Sequence, residues 1–200
     1  MFTLVLAMIL SSPIDPPDPP RYDPDLLART LERRLTYAST INRDRPVQVA
    51  HCRRAPKGCR ARVEAFAGYL VEAGRETGVS PWLLAAMAIK ESGLNPFAEG
   101  GAGEIGILQL HPKRRDASRL RFLADPKYRE RCRKIVGACQ REVVDLAARI
   151  LRSAIVKCGG ETHKGLRMYN AGRCDRATRY PRMVEEHLVR LYEIAGEVAP

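Results

Sequence analysis

The position in this sequence best able to do chemistry is a glutamate at the end of an apolar run. From Trp82 to Ile89 every residue is apolar, and Lys90-Glu91-Ser92 follows directly before a glycine-rich stretch. A helix with no polar face is a buried one. A carboxylate at its C-terminal end feels low dielectric and the negative end of the helix dipole, and both disfavour the ionised form. A glutamate kept protonated near neutral pH is what a general acid requires. The bland alternative is that Glu91 simply reaches solvent where its helix emerges.

The cysteines and histidines carry the next chemical constraint. Six cysteines, Cys52, Cys59, Cys132, Cys139, Cys158 and Cys174, form an even set without any C-x-x-C spacing. That pattern favours three disulfides and an oxidising compartment over zinc. His51, His111, His163 and His187 make no ligand motif, so no metal is expected. Pairing of sequence neighbours (52–59, 132–139 and 158–174) is the expected connectivity. Two of these pairs are seven residues apart, which on a continuous helix separates the Cα atoms by about 10.5 Å. A disulfide tolerates less than about 7 Å, so both segments must bend. Pro56-Lys57-Gly58 supplies one bend, and Gly137 is the candidate for the other.

The elements that must position these groups read as helices. The chain has 200 residues, 45% of them hydrophobic and 28% charged, which excludes a wholly disordered chain and a multi-span membrane protein. Phe2–Leu10 is apolar but shorter than the ~20 residues a spanning helix needs, and resembles the core of a signal peptide. Residues 13–24 hold six prolines in twelve positions, an extended linker. Asp25 to about Arg43 has helical spacing. Val63, Phe66, Ala67, Leu70 and Val71 trace an amphipathic helix that stops at Thr77-Gly78. Ser80-Pro81 opens the buried helix. The stretch 93–106, with five glycines, is loop. Helices follow over Glu142–Val156, Thr162–Tyr169 and Val184–Ala195. No segment alternates convincingly as a strand, so the class is all-α.

The formal charge is +11 and the pI about 9.7. Such a balance suits a polyanionic partner: nucleic acid, anionic membrane or acidic wall polymer. It equally suits a solvated arginine-rich face. The basic residues sit in loops such as Lys113-Arg114-Arg115 without interleaved aromatics, which speaks against nucleic acid.

Around Glu91 the order of short blocks becomes specific. Glu91-Ser92, Asn95-Pro96 with Ala98, Gly106-Ile107-Leu108-Gln109 and Met168-Tyr169-Asn170-Ala171-Gly172 follow one another with suitable helices between. From about 80 to 188 this resembles the lytic transglycosylases that carry a soluble-lytic-transglycosylase (SLT) domain. The resemblance implies a lysozyme-like helical domain with a substrate groove, here preceded by a proline-rich linker and an N-terminal helix. The expected organisation is a candidate signal peptide over 1–12, the linker over 13–24, an N-terminal helix with a cysteine-bounded loop over 25–60, and a catalytic domain over 61–200.

By the same resemblance Glu91 is the catalytic acid/base, and Ser92 supports its carboxylate. Gln109 lines the sugar site, and Tyr169 and Asn170 close the cleft. Met168 stands where alanine is usual, and Ile107-Leu108 where Leu-Met is usual. Glu104 occupies a position where many members have a small residue. It is either a second carboxylate near the cleft or an acceptor that tethers the loop to local arginines, with the tethering role favoured. The implied reaction cleaves the MurNAc–GlcNAc β-1,4 bond with a single glutamate and leaves a 1,6-anhydro sugar. The alternatives are hydrolysis, as in goose-type lysozymes, and a non-catalytic wall-binding or secretion-associated module. The implied partner is a peptidoglycan glycan strand, with a secretion or envelope complex as a further candidate. A monomer without nucleic acid, located outside the cytoplasm (periplasmic or secreted), completes the expectation.

Overall fold

A computed structural model describes residues 22–38 and 46–199. The expected signal segment 1–12 and residues 13–21 of the linker lie outside the described residues. Helix α1, Pro24–Arg34, opens with Asp23 accepting the Asp25 backbone N–H and with proline in its first turn. The helix therefore ends well before Arg43, correcting the longer span. Leu35 has left helical geometry, and the Thr36 hydroxyl caps the Glu32 carbonyl at 2.9 Å. Thr36–Ala38 (β1) then pairs antiparallel with Pro46–Gln48 (β2), in the register Thr36↔Gln48, Tyr37↔Val47 and Ala38↔Pro46. β-Branched and aromatic residues favour this conformation over helix. Apart from this small ribbon the fold is all-α, as the periodicity implied.

The remaining helices are α2 (Ala50–Arg53), α3 (Gly58–Thr77), α4 (Pro81–Ser92), α5 (Arg121–Ala124), α6 (Pro126–Cys132), α7 (Arg141–Lys157), α8 (Thr162–Ala171) and α9 (Tyr180–Val198). Helix α4 is the centre of the core: every residue from Pro81 to Ile89 is buried. It packs against α3 and α9, α1 lies across α3 and α9, and α7 packs on α3 and α8. One continuous apolar core runs from Leu27 and Leu31 through Phe66, Trp82 and Leu151 to Leu191. Burial of such apolar side chains contributes about 1.5–3 kcal/mol each.

The disulfides join Cys52–Cys59, Cys132–Cys139 and Cys158–Cys174, with Cα separations of 4.6, 5.6 and 5.6 Å. Lys57 and Gly58 take left-handed backbone conformations, as the first bend requires. The second bend is made by Ala138 and Cys139, at φ 49° and 56°, not by Gly137. Gly137 answers a different demand. A Cβ there would come within 2.9 Å of Tyr69 Cζ on α3, so glycine permits that close approach.

Candidate active site

Helix α4 delivers Glu91 to a cleft of about 600 Å³ whose walls include Glu91, Glu104, Gln109, Arg114, Tyr169 and Asn170. Four further lining residues are Leu110, His111, Lys113 and Ile150. The helix stops one residue later because Gly93 adopts a left-handed cap, with its N–H on Ile89 O and the Leu94 N–H on Ala88 O. The acid is thus fixed at the last turn of a rigid, buried element.

Burial raises the Glu91 carboxyl above the ordinary carboxylate range. The hydrogen bond from Tyr180 and the charge of Lys90 work in the opposite direction, while the negative charge of Glu104 adds to the rise. The Tyr180 hydroxyl donates to Glu91 Oε1 at 2.5 Å. Its ring stacks on Tyr169 with centroids 6.5 Å apart and planes at 16°. Both phenols are held strongly upward in pKa, by burial first and then by Glu91, so they stay protonated donors.

The segment Gly106–Gln109 is pinned from several elements. The Ile107 N–H donates to Gln140 Oε1 at 3.1 Å, and its carbonyl accepts from Ser92 Oγ at 2.9 Å. The Leu108 carbonyl accepts from the Tyr169 hydroxyl at 3.0 Å. Gln109, at φ 46°, spends its amide donor on Gly106 O at 2.9 Å and Ala98 O at 3.1 Å. Left-handed backbone at a non-glycine residue persists only where its surroundings over-determine it.

The sequence-derived residues therefore fall into two groups. Glu91, Glu104, Gln109, Tyr169 and Asn170 share the cleft. Ser92 Oγ bonds Ala88 O at 3.2 Å and Ile107 O at 2.9 Å rather than the Glu91 carboxylate, so it ties α4 to the loop. Glu104 Oε2 accepts the Ala102 N–H at 3.2 Å. Among the described residues no arginine pairs with it, so its tether is backbone, not the arginines.

Two contributors were not singled out from sequence. Tyr180 precedes the apolar period that begins at Val184, and only Pro181 marks the first turn of the helix that begins at Tyr180. Gln140, fully buried, precedes α7 and bonds both Ile107 N and Ala138 O. A buried amide with both ends satisfied is a position-fixing group. No group of three or more His, Cys, Asp and Glu suited to a metal ion occurs among the described residues.

All-α architecture, a core helix ending in a half-buried acid, and a cleft walled by aromatic and amide side chains define a lysozyme-like helical domain. The chain belongs to the Transglycosylase SLT domain family, whose family model matches residues 68–185, more than half of its length. No solved structure matches the chain. Family membership supports peptidoglycan-directed activity of the lytic transglycosylase type in general.

Proposed function

We propose that the protein cleaves the MurNAc–GlcNAc β-1,4 bond of peptidoglycan with Glu91 as its single acid/base, releasing 1,6-anhydro-muropeptides. One observation carries this: the Glu91 carboxyl is raised by burial at the wall of the cleft and faces a hydroxyl donor, Tyr180. A protonated Glu91 gives its proton to the glycosidic oxygen as the C–O bond breaks. The Tyr180 donor then favours the carboxylate so formed. That carboxylate takes the proton of the sugar's own 6-hydroxyl as its oxygen bonds to the anomeric carbon. The proton returns to Glu91, the product carries an internal ether, and no water is consumed.

Many glycosidases divide this work between two carboxylates. Glu104 shares the cleft, which is the feature that favours hydrolysis as a second reading. Its carboxylate is engaged by the Ala102 N–H, and its charge helps to keep Glu91 protonated, so it fits a supporting role. Ser92, Gln109, Tyr169 and Asn170 act as the binding and positioning set, and residues 61–200 as the catalytic domain. No cofactor is implied by this chemistry. The three disulfides support an extracytoplasmic location, and no helix among the described residues is long and apolar enough to cross a membrane. The protein is expected to act as a monomer.

Digestion of purified peptidoglycan followed by mass analysis tests the reading. Anhydro-ended muropeptides are lighter by one water than the reducing ends left by hydrolysis. Reducing ends alone would replace the transglycosylase with a muramidase. No new ends would leave a wall-binding module.

A further inference from the structure

A second cavity, of about 520 Å³, lies against the loop that follows α4 and is lined by His51, Arg54, Arg62, Asn95, Phe97 and Arg133, together with Ala50. Its base is a guanidinium that should not be buried alone. Arg62 is only 3% exposed. Its Nε donates to Val136 O at 3.2 Å and its Nη1 to His51 O at 3.0 Å. Both acceptors are neutral carbonyls. Among the described residues neither Arg62 nor Arg54 has a carboxylate partner, and Nη2 of Arg62 has no hydrogen-bond partner. Arg133 pairs with Glu130 on the surface and lies over the Phe97 ring at 4.5 Å.

Burial lowers the Arg62 pKa, yet a guanidinium does not give up its proton in a protein. A buried charge that cannot be neutralised by titration needs a partner of opposite charge or a dense set of acceptors. Two carbonyls leave most of its five N–H groups unused. Apart from His51, whose Nδ1 is buried without a hydrogen-bond partner, the remaining polar lining residues add donors. Asn95 Oδ1 is occupied by the Phe97 N–H at 3.1 Å, which leaves its amide nitrogen as the available group. Arg54 and Arg133 bring further forks, the geometry that matches carboxylate and phosphate oxygens.

The construction of the cavity is also specific. Arg54 stands inside the Cys52–Cys59 loop, and Arg133 and Val136 stand inside the Cys132–Cys139 loop. Two covalently closed loops thus hold the basic side chains around Arg62. We propose that this cavity is an oxyanion-binding site, taking one carboxylate or phosphate group between Arg62, Arg54 and Arg133 with Asn95 as a further donor. Its occupant would brace the loop shared with the cleft, because Asn95 and Phe97 line the cavity while Ala98 O receives Gln109.

The test is an NMR titration of the oxidised, full-length protein with orthophosphate and, separately, acetate, against chloride at constant ionic strength. Following the Arg62 Nε–H and Asn95 side-chain signals, one saturable site is expected for an oxyanion and none for chloride. The tighter of the two identifies phosphoryl or carboxylate as the group recognised. Arg54→Gln/Arg133→Gln, both on exposed side chains, should bind roughly tenfold more weakly or worse, since each loses a charge-assisted hydrogen bond, while the thermal midpoint without anion stays unchanged. Arg62→Lys keeps the charge without the fork and should also bind more weakly. Saturation by chloride alone, absence of saturable oxyanion binding, or wild-type affinity in the double variant would overturn the site.

Discussion

The cleft and the basic cavity lie against the same loop, and each holds a largely desolvated ionisable side chain that makes no salt bridge. They resolve the cost differently. Glu91 can shed its charge: desolvation raises its pKa, and a neutral acid ready to give a proton is the outcome. Arg62 cannot, so its charge must be met by carbonyls and, as proposed, by an anion from outside. The same physical pressure therefore makes a catalytic group in one place and a receptor in the other. Which result appears depends on whether the buried group can titrate within reach of neutral pH.

Glu91→Gln should break the cleft half of this contrast with the largest effect. Glutamine keeps the shape but cannot donate the proton, so turnover on peptidoglycan should fall by about 10²–10⁴-fold while glycan binding survives. Stability should move the other way. The folded carboxyl is raised, so its folding advantage is complete below the ordinary carboxyl value and is lost as pH rises through the raised one. The midpoint of Glu91→Gln relative to wild type should therefore climb in thermal melts as pH rises above the ordinary carboxyl range. An enzyme of undiminished activity would reject Glu91 as the acid.

Arg62→Met applies the same operation to the cavity and should give the opposite sign. The carbonyls of His51 and Val136 lose their donor, at about 1–3 kcal/mol for each acceptor left unpaired. Chemical denaturation of the oxidised protein should show the loss in full above the histidine range, and less of it at acid pH, because Arg62 also disfavours protonation of His51. Absence of a loss above the histidine range would contradict the contrast.

The two regions are joined through one disulfide, and removing it should weaken both. Cys139 precedes Gln140, which holds the Ile107 N–H of the cleft loop, and the same cystine loop carries Arg133 and Val136 of the cavity. Cys132→Ser/Cys139→Ser should cost about 2–3 kcal/mol by loss of loop closure. It should also lower turnover. Cys158→Ser/Cys174→Ser, which ties the end of α7 to the segment after α8, should cost a similar amount and leave oxyanion binding intact. Equal damage to the cavity from both pairs would show that the effect is global loosening.

How much of this was legible in the sequence follows from how local each cause is. Helices α3 and α7 announce themselves by apolar spacing over four or more turns and α4 by an unbroken apolar run, and their ends by glycine and proline. The short α5 and α6 and the β1–β2 ribbon carry too few residues for a period to form. Glu91, Gln109, Tyr169 and Asn170 were legible because they sit in compact ordered blocks. Tyr180, Gln140 and Arg62 were not, because each has a partner 89, 33 or 74 residues away that gives it its place. Nothing local marks a tyrosine that will meet a distant acid. A bend of unglycinated residues, Ala138-Cys139, is likewise imposed by the disulfide and not by propensity.

Two smaller substitutions sharpen the account of Glu91, and they should move its titration in opposite directions. Tyr180→Phe removes the donor that favours the carboxylate, so the acid should stay protonated to higher pH. The alkaline limb of kcat/KM then shifts upward, and the rate falls by roughly tenfold or more because the conjugate base loses a hydrogen bond. Glu104→Gln removes a negative charge that raises Glu91, so the alkaline limb should shift downward. The rate at its optimum should change little, since the Glu104 carboxylate is bonded to the Ala102 N–H, a contact glutamine oxygen can keep. A large loss in Glu104→Gln with no shift in pH profile would mean that Glu104 takes part in the reaction itself. The hydrolytic reading would then gain the second carboxylate it requires, and the water-heavier products would follow from it.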